Sequence, residues 1–501
     1  MTESSDVDRS GSGGFCSVQL RCPSCRAVLR FEPTPTQPLD EGMFGVLVCG
    51  CSAYPVLDGV PVLRRGHVDV QDHMTGRAEV AGPDVAALVG LLRADRGVDA
   101  LVEMLAFPPP VPFGLADKAG LRLPFTRGLW PRMALEARRG EVTAMLTEID
   151  ALTAQDWMEL CYQRSSERIS AELFPYFYIR YGQPRYLSSL SFLRALPHDD
   201  RPVLDLACGF GHLMYHLGVR ENPVTSVGLD RNFFQLWVGR RYIAPRQTFV
   251  CADRLDDLPF ADDTFSAAVC TDAFHLFDVQ QQCMDELRRV AAADTVLLDR
   301  VGNANLEPTD SEHERDPQGY VDLVRGAPFR LVSEDELVAG YRAGHGPRLA
   351  TPRDPAEFSE NKWLSLITTI DTTLFRDDGE FTTLPHGAGE LRINPIYTVE
   401  RDGDDIHLVF SYPSTWYAFE NSLMITFTSA GEHLDVGTFD ALAAGHPTPQ
   451  TPYYLQRFVA LGMPPRYARR PGTPPRHPSV GAGLARGVRQ RLHAFARPHD
   501  T

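Results

Sequence analysis

The stretch VLDLACGFGHLMYHLG, Val203 to Gly218, decides the fold. An apolar run carries one carboxylate, Asp205, followed by two close glycines, Gly209 and Gly211, and an amphipathic continuation. That order predicts a strand, a tight turn and a helix, with both glycines at the carboxyl end of the strand, where open α/β sheets bind ligands. Glycine permits unusual backbone angles and lets a ligand come close. A dinucleotide turn would place a third glycine in G-x-G-x-x-G, but Met214 stands there, which weakens the case for a pyrophosphate at the helix start. No G-x-x-x-x-G-K-[ST] loop occurs in the chain either. The expected ligand is a nucleoside without a phosphate chain.

Outward from this turn, between Pro202 and Val301, the β-rich runs PVLDLA, VTSVGLD, QTFVCAD, FSAAVCTD and DTVLLDRV alternate with helical patterns. The alternation predicts an α/β fold, a Rossmann-like doubly wound sheet. With 501 residues the chain is too long for one ordinary core, and two or three domains are expected. The composition divides it into a polar tail over 1–15, a cysteine-bearing segment over 16–66 and a helical connector over 67–160. A ligand-binding core over 161–301, a region over 302–470 and a basic tail over 471–501 follow. In the connector, FPPPVPFG breaks a helical pattern because proline fixes φ and removes a donor. Beyond Gly302, ELRINPIYTVERDGDDIHLVFSYP and NSLMITFTS read as strands that either complete the sheet or form a separate β-rich module.

A net charge of −16 disfavours broad attraction to phosphate backbones, so nucleic acid is not the default partner. The exception is the tail, where Pro464 to Thr501 holds eight arginines against one aspartate. Leu484, Val488, Leu492 and Phe495 share a helical face there, which fits a partner-docking helix or a contact with RNA or an anionic membrane surface. The sequence offers neither a secretory leader pattern nor an apolar run long enough to span a bilayer, and a cytoplasmic protein is expected. A homo-oligomer is compatible with everything above.

The order of acidic residues resembles that of the class I S-adenosylmethionine-dependent methyltransferases, in particular the subgroup with small-molecule and quinone-type acceptors. Their first motif, an acidic residue, a small one, then G-x-G, is matched by Asp205, Ala207, Gly209 and Gly211. An acidic residue ending the second strand is matched by Asp230 in VGLDRN, and an aspartate after the third by Asp253 in CADRLDDLPFADDTF. The resemblance implies S-adenosyl-L-methionine as cofactor. It implies Asp205 for the methionine ammonium, Asp230 for the two ribose hydroxyls and Asp253 for the adenine amino group, with Arg231, Arg254 and Thr271 beside them. The chain departs from the family in having Ala207 where glycine is common, and Ser266 where an aspartate is common. The spacing from Asp253 to LPF is one residue longer than usual, so Arg254 or Asp256 becomes a candidate for part of the adenine contact.

Methyl transfer is an in-line displacement that discharges a sulfonium, so alignment and desolvation supply much of the catalysis. In this family the segment after the fourth strand faces the reacting centre, and here it reads CTDAFHLF. His275 is the candidate general base, with Asp272 to orient it; a packing histidine is the alternative. The aromatic helix LFPYFYIRYGQPRY offers Tyr176, Tyr178, Tyr181 and Tyr186 as walls for cofactor or acceptor, or as plain core.

The cysteines carry a second signal. C-P-S-C, a gap of 23 residues and then C-G-C present Cys22, Cys25, Cys49 and Cys51 from two turns, which suits tetrahedral Zn2+ holding a domain too small for its own core. A redox role for C-P-S-C is the alternative. From Leu20 to Arg64 the segment is similar to the zinc-ribbon activator protein that partners tRNA, rRNA and release-factor methyltransferases. The expected function is methyl transfer to a small molecule in specialised metabolism. RNA or protein as acceptor is the first rival, and a cofactor-binding protein that does not methylate, or that uses the cofactor for another reaction, is the second.

Overall fold

The central sheet grows from short strands that are apolar almost throughout, as strands covered on both faces must be. In this computed structural model they are β1 (Val203–Leu206), β2 (Ser226–Asp230), β3 (Thr248–Cys251), β4 (Ala267–Thr271), β5 (Val296–Gly302), β6 (Phe329–Ser333) and β7 (Trp363–Thr368). Residues 16–473 are described, apart from 38, 40–41, 69–70, 73–75, 78–80, 108–128, 164–166, 308–310 and 471–472. The N-terminal tail, nearly all of the proline-rich break and the basic tail beyond 473 lie outside the described residues.

The strand order is β6-β7-β5-β4-β1-β2-β3, parallel except for β7, which runs antiparallel between β5 and β6. All five strand runs read between Pro202 and Val301 are present. Side chains alternate across the sheet, so Leu204 and Leu206 join Met284 and Leu287 of helix Gln280–Val290 on one face. Val203 joins Phe192 and Leu217 on the other. Each such buried leucine or phenylalanine contributes roughly 1.5–3 kcal/mol. Asp205 falls on the Val203 side at the strand's end, beneath the helices that precede the sheet. The order also reverses beside β1: β4 lies on one side and β2 on the other, which opens a crevice at the carboxyl ends of all three.

The cysteine-bearing segment forms an antiparallel sheet of Arg30–Pro33, Gly45–Val48, Ala53–Leu57 and Val60–Pro61. Its last leg runs on beside β3: Val62 makes a parallel bridge to Cys251, and the Leu63 amide donates to the Cys251 carbonyl at 2.8 Å. The ribbon thereby covers the open edge of the main sheet. Asp58, fully buried, pins this contact by accepting from the Trp237 indole at 2.7 Å, with Arg240 and Arg241 at 3.6 and 3.8 Å. Helices Val85–Arg93, Gly97–Leu105 and Leu129–Leu146 follow, as the periodicity predicts.

The region after Gly302 resolves the open reading in a mixed way. The sheet is completed by β6 and β7, whereas ELRI (Glu390–Ile393) pairs with Ala460–Met463, outside it. Tyr397–Asp402, Asp405–Phe410 and Gly431–Asp435 make a separate three-stranded sheet, turned at Gly403 with φ +63°. NSLMITFTS is not a strand. It coils into a short 3-10 helix, Ser422–Thr426, because Asn421 accepts from the Met424 amide and buries Met424 while leaving Ile425 68% exposed. Together with helix Thr415–Glu420 these elements form a cap whose core, Ile406, Leu408, Tyr417 and Met424, is continuous with that of the helices below. No helix among the described residues is long and apolar enough to cross a membrane.

Candidate active site

The turn after β1 is built from left-handed backbone: φ is +59° at Ala207, +53° at Gly209 and +73° at Gly211. Gly211 has a second constraint, since a Cβ there would meet the Phe249 ring at 2.7 Å. Ala207 takes the same kind of conformation with a Cβ, at a cost of roughly 1 kcal/mol or more. This is the position where the resembled family commonly carries glycine and this chain carries alanine. Helix His212–Val219 starts directly from the turn.

Asp205, at the end of β1, is 3% exposed, and its Oδ2 has no hydrogen-bond partner among the described residues. Burial, reinforced by the negative charge of Asp230 and opposed by Arg180, pushes its carboxyl up to about 8. A buried carboxyl oxygen without a donor is an unfilled valence of the site. Asp230, at the tip of β2, uses Oδ2 to accept from the Gly209 amide at 3.0 Å and Oδ1 to accept from the Asn232 amide at 2.8 Å. Burial raises its pKa and these two amides pull it back. Each oxygen keeps a lone pair for another donor. Asp253, just after β3, is exposed and pairs with Arg64 of the ribbon at 2.8 Å. Three acidic groups therefore stand on adjacent strand tips around one turn.

The flanking candidates divide. Thr271 ends β4 with its Oγ1 buried and without a partner among the described residues. Arg231 is exposed beside Asp230. Arg254 is turned away from the turn, towards Asp256 at 3.2 Å, Asp257 at 3.5 Å and the Pro23 carbonyl of the ribbon at 3.5 Å. The pair Arg254 and Asp256, considered for the adenine contact, satisfies itself on the surface.

Asp272 has a different task from the one expected. Its Oδ2 accepts from Tyr176 at 2.7 Å, Arg185 at 2.7 Å and Arg180 at 3.3 Å, and its Oδ1 from Arg300. Burial would raise its pKa, but the arginines hold it well below the usual carboxylate range. Glu420 of the cap accepts from Arg185 at 2.9 Å and Arg300 at 3.4 Å, and Glu334 from Arg300 at 3.0 Å. Asp272 is thus the hub of a buried ionic network that ties β4 to β5 and the cap, rather than a dedicated orienter of His275. His275 is 2% exposed on the turn Phe274–Leu276, its ring 5.6 Å from that of Trp363, which also carries the Arg300 guanidinium at 3.6 Å.

Of the four tyrosines, Tyr176 meets this network and carries Arg180 and Arg185 against its ring at 4.6 and 4.8 Å. Tyr178 stacks on Tyr467, and Tyr181 packs against Tyr186, so these three serve the core. Phe177, not singled out in the sequence, packs between Tyr162 and Phe210 at 5.1 Å from each and walls the glycine turn. Arg180, Arg185, Arg300 and Glu420 were also missed. The one available signal was an arginine interrupting the apolar strand TVLLDRV, since a charge inside a buried strand requires a partner.

The four cysteine sulfurs lie within 4.8 Å of one another: Cys22 to Cys51 at 3.6 Å, Cys25 to Cys49 at 3.7 Å and Cys49 to Cys51 at 3.5 Å. These are too long for disulfides. They match the edges, about 3.8 Å, of a tetrahedron with metal–sulfur bonds of about 2.3 Å. Cys251 and Cys270 are core residues.

The fold and the strand-tip site define a class I methyltransferase domain in the middle of the chain. Residues 203–294 match the family described as "Methyltransferase domain". The phthiotriol/phenolphthiotriol dimycocerosates methyltransferase 1 of Mycobacterium ulcerans is 29% identical over 140 residues, which cover 27% of this chain and 47% of that protein. The uncharacterized methyltransferase YodH of Bacillus subtilis is 24% identical over 182 residues, 36% of this chain and 75% of its own. Relative to the first of these, the chain spans about half the length of the relative it matches. Among solved structures, the complex between the Haloferax volcanii Trm112 methyltransferase activator and a methyltransferase has a chain 17% identical, with a TM-score of 0.29, covering 37% of this chain and 90% of that one. The geranyl diphosphate C-methyltransferase of Streptomyces coelicolor is 14% identical with a TM-score of 0.27, covering 36% and 74%.

Proposed function

We propose that the protein is an S-adenosylmethionine-dependent methyltransferase acting on a small-molecule acceptor, with the ribbon held by one Zn2+ on Cys22, Cys25, Cys49 and Cys51. The observation that carries the reading is the unpartnered oxygen of Asp205, buried beside a left-handed glycine turn and aligned with Asp230 and Asp253. The residues fit the cofactor: a cationic ammonium satisfies Asp205, ribose hydroxyls satisfy the remaining lone pairs of Asp230, and an amino group reaches Asp253 at the rim. Arg180, whose contacts with Asp272, Gln183 and Tyr176 are all 3.2–3.4 Å, stands ready for the carboxylate of the same amino-acid moiety.

When bound, S-adenosylmethionine supplies a methyl group on a cationic sulfur. The chain's own contribution is alignment and exclusion of water. The network around Asp272 fixes the end of β4, and the wall of Tyr162, Phe177 and Phe210 keeps the turn dry. Asp272, held ionised by arginines, is too weak a base for an acceptor proton; His275 remains the candidate for that step. The net charge of −16 favours a small acceptor over RNA, and the relative named for a dimycocerosate acceptor supports a non-macromolecular one.

The test is incubation of purified protein with methyl-labelled cofactor and fractionated extract. Label entering a low-molecular-weight fraction supports the reading. Label confined to RNA or protein replaces it with a macromolecular acceptor, and calorimetric silence towards the cofactor and its demethylated product removes it altogether.

A further inference from the structure

We infer that Arg64, a residue of the ribbon, is a positioning residue of the adenosine pocket, holding the Asp253 carboxylate for the adenine amino group. The inference rests on the cofactor reading above. It begins with register. Val62 lies beside Cys251 in a parallel bridge, and the Leu63 amide donates to the Cys251 carbonyl at 2.8 Å. Two residues further along both segments, on the same face, Arg64 arrives opposite Asp253. The contact is made there: Arg64 Nη2 lies 2.8 Å from Asp253 Oδ2, with the arginine side chain 7% exposed and the aspartate 40%. The asymmetry matters. The guanidinium is a fixed, buried part of the docked ribbon, while the carboxylate faces outward at the rim of the crevice. An aspartate on the loop after β3 would otherwise turn freely in water, whereas a rigid planar donor restricts it to one orientation.

The next residue ties this pair to the cysteines. Arg65 Nη2 donates to Ser52 Oγ at 2.6 Å and lies 3.7 Å from Cys51 Sγ. Consecutive arginines therefore connect the cysteine cluster to a cofactor-facing carboxylate. The ribbon does more than close a sheet edge; it supplies a side chain on which adenine recognition depends.

The experiment is a double-mutant cycle on the full-length protein, read by calorimetry with S-adenosylhomocysteine and with its purine-riboside counterpart, in which hydrogen replaces the adenine amino group. R64Q is expected to weaken S-adenosylhomocysteine about tenfold, D253N by a similar factor, and the double variant by no more than the weaker single one. The purine-riboside compound offers Asp253 no N–H donor at this edge, so its affinity should change less than about twofold in R64Q. R64K, which keeps the charge but loses the fork, should fall between wild type and R64Q and serves as the readout if R64Q is insoluble. Unchanged affinity in R64Q or R64K, losses that multiply to about a hundredfold in the double variant, or a parallel loss for the purine-riboside compound overturns the inference while leaving the cofactor reading intact. Wild-type protein that binds neither compound overturns both.

Discussion

Asp205 joins fold to chemistry at the level of a single side chain. Its carboxyl, pushed up to about 8, is mostly protonated at neutral pH while the crevice is unliganded. An unfolded aspartate titrates near 3.9, so the folded state binds a proton that the unfolded state gives up between about pH 4 and 8. The sign follows: this stability is fully present below pH 4 and is lost as pH rises towards 8. Asp205→Asn removes that loss, and the variant should resist urea better than wild type at pH 8, by roughly 1–3 kcal/mol, while the two converge at pH 4. The same substitution should abolish measurable cofactor binding, because an amide cannot pair with an ammonium as a carboxylate does. Binding in the wild type should be linked to proton release: the ligand's positive charge stabilises the ionised form, so affinity should rise about tenfold between pH 6 and 7 and level off above pH 8. Calorimetry in two buffers of different ionisation enthalpy would count close to one proton released at pH 7. A count of zero would mean that Asp205 does not receive the ammonium.

Among the elements, the turn from β1 into helix His212–Val219 shows most directly how sequence becomes site. Its left-handed residues let Asp230 reach back to the Gly209 amide. Ala207 does this at a steric cost, and Ala207→Gly should stabilise the protein by about 0.5–1 kcal/mol in denaturant titration with cofactor affinity unchanged or improved. A loss of stability would place the Cβ in a useful contact instead. This turn was legible because a G-x-G after an apolar run has few physical alternatives, and β1 to β5 were legible because each is a short, mainly apolar run alternating with a helical pattern. The strands β6 and β7 were not. FRLVS runs straight into the capping box of Ser333 and Glu336, so strand and helix share one continuous pattern, and WLSLIT stands apart from the alternating strand and helix runs, after a long polar stretch rich in proline and glycine. NSLMITFTS misled for the opposite reason, since its apolar residues fit a strand while Asn421 commits the backbone to a turn. The three acidic strand tips were readable, but the network on Asp272 was not: Arg180, Arg185, Arg300 and Glu420 come from four separate elements, and only the folded chain brings them to one carboxylate.

In the whole molecule, ribbon, connector helices, central domain and cap share hydrophobic cores instead of hanging as beads on linkers. Phe44, Val46 and Leu57 of the ribbon belong to the same cluster as Leu92 of the connector, Trp237 of the central domain and Tyr417 of the cap. Loss of metal should therefore act at a distance. Four thiolates brought within 4.8 Å repel one another unless a cation neutralises them, so chelation removes the reason for the two cysteine turns to stay together. The ribbon's last leg, through Val62 and Leu63, would then release β3, whose exposed edge is a template for aggregation. The expected sequence on adding a strong chelator is one zinc released per chain and faster hydrogen exchange at Leu63 and the ribbon amides by about a hundredfold. A shift in Trp237 fluorescence should accompany it, as the indole loses Asp58 at 2.7 Å. The amides of β4, in the middle of the sheet, should remain protected over the same interval. Restoring zinc before aggregation sets in should reverse all three signals. If the metal left with no change at Leu63, or if no metal were present to leave, the ribbon would be held by its contacts with β3 and Trp237 without help from a metal, and the cysteines would need a different explanation.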